Sequence, residues 1–243
     1  MKLIQAFLTE NPCYRANLDR ADERYRVFQD RGPVGLMLHS VGCAQPSAEV
    51  FVRRWNRPDY DRACVHAFID ANTGDVWQTL PWSFRGWHGG GSCNNTHIGV
   101  ELCEPDCLSY TGGASFTVWD RDRAVACAAR TREAAAELFS MLCKQYGLEP
   151  ETAILSHREG GRRGIATAHA DPEHLWTGLG LDWTMDGFRA MVRAKMDAKS
   201  PDPSPERTPL YRVQIGAFHN RAYAEAMLTE ARKTFPNAFL KKE

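Results

Sequence analysis

An α/β layered domain with a short extra unit behind it is the fold class this sequence predicts, and three observations carry that reading. Short apolar runs of strand length alternate with stretches of helical periodicity. A long helical stretch occupies the middle of the chain, from about 120 to 146. A proline-rich segment near residue 200 then sets off a final segment of about 35 residues.

The elements follow in order. VGLML (34–38) is a strand that stops at His39, and Ser-Val-Gly after it is loop chemistry. Ser47 is placed to cap a helix through AEVFVRRWN. ACVHAFID and DVWQTLP read as two strands of a hairpin joined by the turn ANTG. The glycine- and asparagine-rich RGWHGGGSCNNTH must be loop, and it leads into the strand IGVELCEP, which contains Glu101. In the long helix, Val125, Ala128, Ala129, Ala135, Leu138, Phe139 and Leu142 share one periodicity and Gly147 supplies the stop. TAILSHREGG gives a strand ending at His157, then an Arg- and Gly-rich loop, HADPEHLW, and a helix from about Met185 to Lys195.

The main domain is expected over 1–196. DAKSPDPSPERTP, with four prolines and no large apolar residue, is expected to be an extended linker over 197–209. In 210–243, LYRVQIGAF alternates as a strand, NRAYAEAMLTEARKTF is helical and NAFLKK opens another strand. This βαβ-like appendage is too small to bury a stable core alone, so it needs a second copy, a docking surface or a dimer.

Charge narrows the function. Thirty basic and thirty acidic residues cancel, leaving no overall positive field for nucleic acid or an anionic membrane. No apolar run is long enough to span a bilayer, and MKLIQAFLTENPCYRAN lacks the basic and apolar regions of a signal peptide. The expectation is a protein made in the cytoplasm without membrane insertion. The eight cysteines read as buried, reduced thiols; Cys93, Cys103 and Cys107 lack the paired C-x-x-C spacing of a zinc ribbon.

The candidate chemistry centres on a metal. His39 and His157 each end a strand, and residues at the same end of neighbouring strands converge on one cleft. Asp171 lies 14 residues past His157, with Pro172 restricting its backbone. Two imidazoles and a carboxylate suit zinc with an open position, which makes a strong nucleophile near neutral pH. Spacing alone does not decide this: a single histidine among eight is more often a surface or hydrogen-bonded side chain, and Glu101 alone reads as a strand glutamate in a salt bridge.

The local text does decide. LMLHSVG, GWHGGGSCNNTHIGVELCE and LSHREGGRRGIATAHADPEHLW, in that order, resemble the type 2 N-acetylmuramoyl-L-alanine amidases, a family that includes phage-lysozyme-like amidases and peptidoglycan recognition proteins. The likeness covers about residues 1 to 195 and is nearest to endolysins of Firmicutes, their prophages and phages. It implies a central mixed β-sheet flanked by helices, Zn²⁺ held by His39, His157 and Asp171, and Glu101 as general base. It implies hydrolysis of the amide between N-acetylmuramic acid and the L-alanine of the stem peptide, with peptidoglycan as the partner. Trp87 and His88 match the W-H-x-G block that lines the substrate groove.

Two departures stand out. His169 occupies the position where many relatives carry a lysine that stabilises the oxyanion, and Val65 replaces the tyrosine that some branches place before the hairpin histidine, here His66. The glutamate-type mechanism is therefore expected, with His169 beside Glu101. His174 or Glu159 is expected as a partner of the ligand imidazoles. Two rival readings stay open: a non-catalytic peptidoglycan-binding protein, and a structural zinc site closed by His169 as fourth ligand. YRVQIGAFHNRAYAEAMLTEARK resembles the opening half of a SPOR repeat, which binds glycan strands stripped of stem peptides, and implies a cell-wall-binding or homodimerising tail. Without an export signal, action on the wall is expected after lysis or holin-dependent release.

Overall fold

Strand β2 (Gly35–Ser40) is buried along its whole length, so every one of its side chains must find a partner on one face of the sheet or the other. Leu36 and Leu38 belong to the main apolar core, whereas Met37 packs with Cys93 and Leu155 in a separate cluster. That period of two also sends His39 to the face opposite the main core. The computed structural model in which this is seen describes residues 1–19, 22–198 and 220–234. The chain divides into two units, Met1–Lys199 and Ser200–Glu243.

In the first unit, β2 is joined by β1 (Leu3–Gln5), β3 (Ala67–Ile69), β4 (Val76–Gln78), β5 (His97–Leu102) and β8 (Ile154–Ser156). Their order is β1-β4-β3-β5-β2-β8, and a separate hairpin pairs β6 (Leu108–Gly112) with β7 (Ser115–Val118). Only β3 and β4 run antiparallel within the six-stranded sheet; the other neighbours are parallel. The mixed sheet and its hairpin around ANTG match the expectation.

Helix α4 (Arg121–Tyr146) covers one face. The Asp120 side chain accepts from Arg123 N–H, and Gly147, left-handed at φ 64°, returns its N–H to Cys143. Its buried alanines (Ala124, Ala128, Ala135) let the backbone approach the strands, while Leu138, Phe139 and Leu142 fill the space between. Each of these larger side chains contributes about 2 kcal/mol of burial. Helix α8 (Met185–Asp197) completes the layer, with Phe188 meeting Phe139 edge-on at 5.5 Å.

The other elements are α1 (Pro12–Asp19), α2 (Glu23–Arg31), α3 (Ala48–Trp55), α5 (Pro150–Ala153), α6 (His157–Arg162) and α7 (Glu173–Gly178). Two local expectations change. Ser47 does stand at the cap position of α3, but its side chain makes no capping bond; Ala48 N–H is bound at 3.0 Å by Asp70 from the β3–β4 turn. His157 does not enter a loop but opens α6, whose capping box pairs Ser156 with Glu159. All eight cysteines are free and only Cys43 is exposed. In the second unit α9 (Arg221–Thr234) is the expected helix; the linker from 199 to 209 and the flanking tail strands lie outside the described residues. Among those residues no helix is long and apolar enough to cross a membrane.

Asp70 caps α3 with one carboxylate oxygen, and with the other it accepts from Asn72 and Thr73 N–H in its own turn. Asp70→Ala is expected to cost about 2 kcal/mol in urea denaturation. Ser47→Ala is expected to be near neutral in the same measurement.

Candidate metal centre

The parallel register of β2 and β5 pairs His39 with Glu101 and Met37 with Gly99. Side chains paired across neighbouring strands share a face, so His39 and Glu101 stand side by side away from α4. Strand β8 flanks β2 on its other edge and ends at Ser156, which delivers His157 to the same place. Asp171 arrives from the segment between α6 and α7; its backbone carbonyl accepts from Arg158 N–H at 3.2 Å, tying it to the helix that begins with His157.

Three atoms meet there. His39 Nδ1 lies 3.0 Å from His157 Nδ1 and 3.3 Å from Asp171 Oδ2, and His157 Nδ1 lies 3.5 Å from the same oxygen. All three residues are buried, and they are the one such His, Cys, Asp or Glu grouping among the described residues. Zinc bonds of about 2.0–2.1 Å at tetrahedral angles place neighbouring ligand atoms about 3.3–3.4 Å apart. The triangle has that edge length, so the donor set fits zinc in both chemistry and size.

The far side of each imidazole is also held. His39 Nε2 lies 3.0 Å from His88 Nδ1, and His88 Nε2 donates to the His97 carbonyl at 3.0 Å. His157 Nε2 lies 3.1 Å from Thr167 Oγ1, whose hydroxyl donates to the Gly89 carbonyl. Burial lowers the pKa of His39, and burial followed by the proximity of His39 lowers that of His88 well below the usual histidine value. Burial favours the neutral acid at Asp171, but contact with His157 and His39 outweighs it and holds the carboxyl far below its ordinary range.

Glu101 Oε2 is buried and has no hydrogen-bond partner. Burial, then the charges of Asp171 and Glu104, push its pKa well above the usual glutamate value. A proton-hungry oxygen with nothing to bind, beside a metal-sized triangle, is what proton transfer to or from water requires.

The expected residues thus divide by place. His39, His157, Asp171 and Glu101 come together. His169 stacks on the His157 ring at 4.3 Å with its side chain 57% exposed, and its Nδ1 lies 3.7 Å from Asp171 Oδ1. Trp87 donates from its indole to the Tyr25 hydroxyl at 2.8 Å and exchanges two backbone hydrogen bonds with Cys64, so it anchors its loop. Glu159 does not touch a ligand imidazole; it serves the capping box of α6 and pairs with Arg189. Thr167 occupies the position expected of such a partner, and nothing in the text ATAHAD singles it out.

Near the centre a second cluster, which the sequence does not announce, gathers around the buried Glu104. Tyr110 from the β6–β7 hairpin is 2.5 Å from Glu104 Oε2 and 2.8 Å from His174 Nε2, and Gly42 N–H donates to Glu104 Oε1 at 3.0 Å. This ties the hairpin to the segment that carries Asp171.

A family model, that of the N-acetylmuramoyl-L-alanine amidases, matches residues 29–174 and so spans His39, Glu101, His157 and Asp171. The chain belongs to that family. The amidase hydrolyses the amide between N-acetylmuramic acid and L-alanine in peptidoglycan. A SPOR domain model matches residues 188–242. Among solved structures, the hydrolase AmiA of Staphylococcus aureus, in complex with its ligand, is similar at TM-score 0.58 and 21% identity, covering 81% of this chain and 83% of that one. A mutant endolysin from Bacillus subtilis is similar at TM-score 0.51 and 19% identity, over 79% of this chain and 99% of that one. The PlyG catalytic domain gives TM-score 0.53 at 18% identity, over 82% and 98%. No curated protein matches the amidase. At these identities the likeness to solved structures is one of fold.

Glu104 yields a pH prediction. It is fully buried, and burial raises its pKa to about 7 despite the Tyr110 hydrogen bond. Between about pH 4.5 and 7 the folded chain keeps a proton that the unfolded chain releases, so stability present at the acid end is lost as pH rises. The loss from this group is on the order of 3 kcal/mol. Because buried histidines such as His66 and His97, each lowered to about 4, act in the opposite sense, the contribution is read by difference: the urea midpoint of the metal-free parent relative to that of Glu104→Gln is expected to fall as pH rises across that range.

Proposed function

We propose that the amidase is a zinc enzyme in which His39 Nδ1, His157 Nδ1 and Asp171 Oδ2 hold the ion. The observation that carries this reading is the triangle of 3.0, 3.3 and 3.5 Å, which fits three corners of a zinc tetrahedron and leaves the fourth to a small molecule. Bound zinc supplies Lewis acidity towards the scissile carbonyl and towards water. Glu101 does the proton work: its unpartnered Oε2 takes a proton from the attacking water and passes it to the leaving amine. A raised carboxyl pKa suits a group that must accept and then release a proton near neutrality. His169, at the exposed rim against His157, donates to the oxygen on which negative charge develops. Its exposure argues against service as a closing fourth ligand, and Glu101 in place argues against a purely binding role.

We place Trp87 and His88 on the loop that borders the substrate, the first as its anchor. We assign the linker to 197–209 and a wall-binding segment to 210–243, which supports action on intact peptidoglycan after release from the cell. Digestion of sacculi rather than only soluble muropeptides is the matching result. Homodimerisation through that tail is read out by comparing the solution size of the full chain with that of a chain lacking 198–243; an unchanged monomer removes it.

Metal analysis joined to mass spectrometry of muropeptide products tests the centre. The parent protein is expected to carry equimolar zinc and to release intact stem peptides. Asp171→Ala is expected to lose both. Glu101→Gln is expected to keep the zinc and lose about 10²–10⁴ in kcat. Zinc retained at parental affinity by Asp171→Ala overturns the assignment.

A further inference from the structure

The glycine-rich segment after Trp87 makes its closest side-chain contact with the centre through the back of a ligand, not through its open front. A neutral imidazole carries hydrogen on one ring nitrogen and a carbonyl oxygen can only accept, so the hydrogen bond from His88 Nε2 to the His97 carbonyl places that hydrogen on Nε2. His88 Nδ1 is then bare, and at 3.0 Å it can only accept from His39 Nε2–H. That proton placement leaves His39 Nδ1 with its lone pair facing His157 and Asp171. The second arm works alike. The Thr167 hydroxyl spends its hydrogen on the Gly89 carbonyl, so its oxygen accepts from His157 Nε2–H and bares His157 Nδ1.

Both arms end on backbone carbonyls at the two ends of one connection, at Gly89 just after Trp87 and at His97 where β5 begins. Asn94 closes that loop, its side-chain oxygen accepting from His88 and Gly89 N–H at 2.9 Å each. Space is reserved for the first arm: a Cβ added at Gly99 would sit 2.3 Å from the His88 ring, which lies flush on β5 where another residue's side chain would stand. Gly99 is paired with Met37, two places along β5 from the His39–Glu101 pair.

We propose that His88 and Thr167 are positioning residues that set the tautomers of His39 and His157, so that the loop from 88 to 97 is the outer frame of the metal centre. The proposal rests on the zinc reading above. It changes what His88 does: the side chain that the family block suggests as a substrate contact serves the ion through His39. It also gives Gly99 a role, that of leaving room for an imidazole.

The test measures zinc affinity of the full chain by competition with a colorimetric chelator, beside KM, kcat and the thermal unfolding of each metal-free variant. His88→Leu and Thr167→Val keep volume and remove the hydrogen bond; each is expected to weaken zinc binding about 10–100-fold. His88→Gln, whose amide can accept from His39 and donate to His97, and Thr167→Ser are expected to bind zinc close to the parent. Gly99→Ala, which displaces His88 without altering its chemistry, is expected to fall with His88→Leu. Parental zinc affinity in His88→Leu with a raised KM overturns the proposal in favour of a substrate contact. Should His88→Leu fail to fold, Thr167→Val against Thr167→Ser decides the principle on the other arm, and equal affinity in that pair overturns it. Failure of the parent itself to bind zinc removes the metal reading, and is visible before any variant is compared.

Discussion

Two imidazole nitrogens and a carboxylate oxygen approach within 3.0 to 3.5 Å in a buried place, and much of the surrounding architecture serves that approach. Electron-rich atoms so close in a poorly screened interior repel one another unless a proton or a cation lies between them. Holding them together requires rigid supports. His39 therefore rides on a strand with neighbours on both edges, His157 opens a helix with a complete capping box, and Asp171 is tied to that helix by a backbone hydrogen bond.

The sheet separates this demand from the task of staying folded. One face carries α4 and α8 over a continuous apolar layer. The opposite face, with His39, Glu101 and Met37, carries smaller apolar clusters and the charged groups. Buried acids such as Glu101 and Glu104, each with a raised pKa, cost stability whenever they are ionised. The apolar layer on the other side offsets that cost without its side chains having to adjust to the chemistry. Tyr110 extends the arrangement, because its hydroxyl lets a peripheral hairpin steady Glu104 and His174 together.

Much of this was legible in the sequence where the signal was long or chemically distinctive. The alternation of VGLML and the periodicity of 120–146 located β2 and α4, and three separated blocks of text named the residues that meet at the centre. Elements of three residues, such as β1, and polar helices such as α1 are too short or too weakly patterned to announce themselves. Partnerships were harder still. That Asp70 and not Ser47 caps α3, and that Thr167 and not Glu159 backs His157, depends on which side chains tertiary packing brings near, and residue type carries little of that. Glu104, Tyr110 and His174 form a cluster whose members lie up to 70 positions apart, with no motif linking them.

The three residues of the triangle are distant in the chain: His39 is 118 positions from His157 and 132 from Asp171. No fragment emerging early from the ribosome contains the set, and loop closure over such lengths waits for the sheet to form. A nascent chain thus carries histidines without the triangle, which closes only when nearly the whole amidase domain has been synthesised and has found its fold. For a hydrolase, that order of events along the polypeptide keeps the site unassembled until its framework is in place.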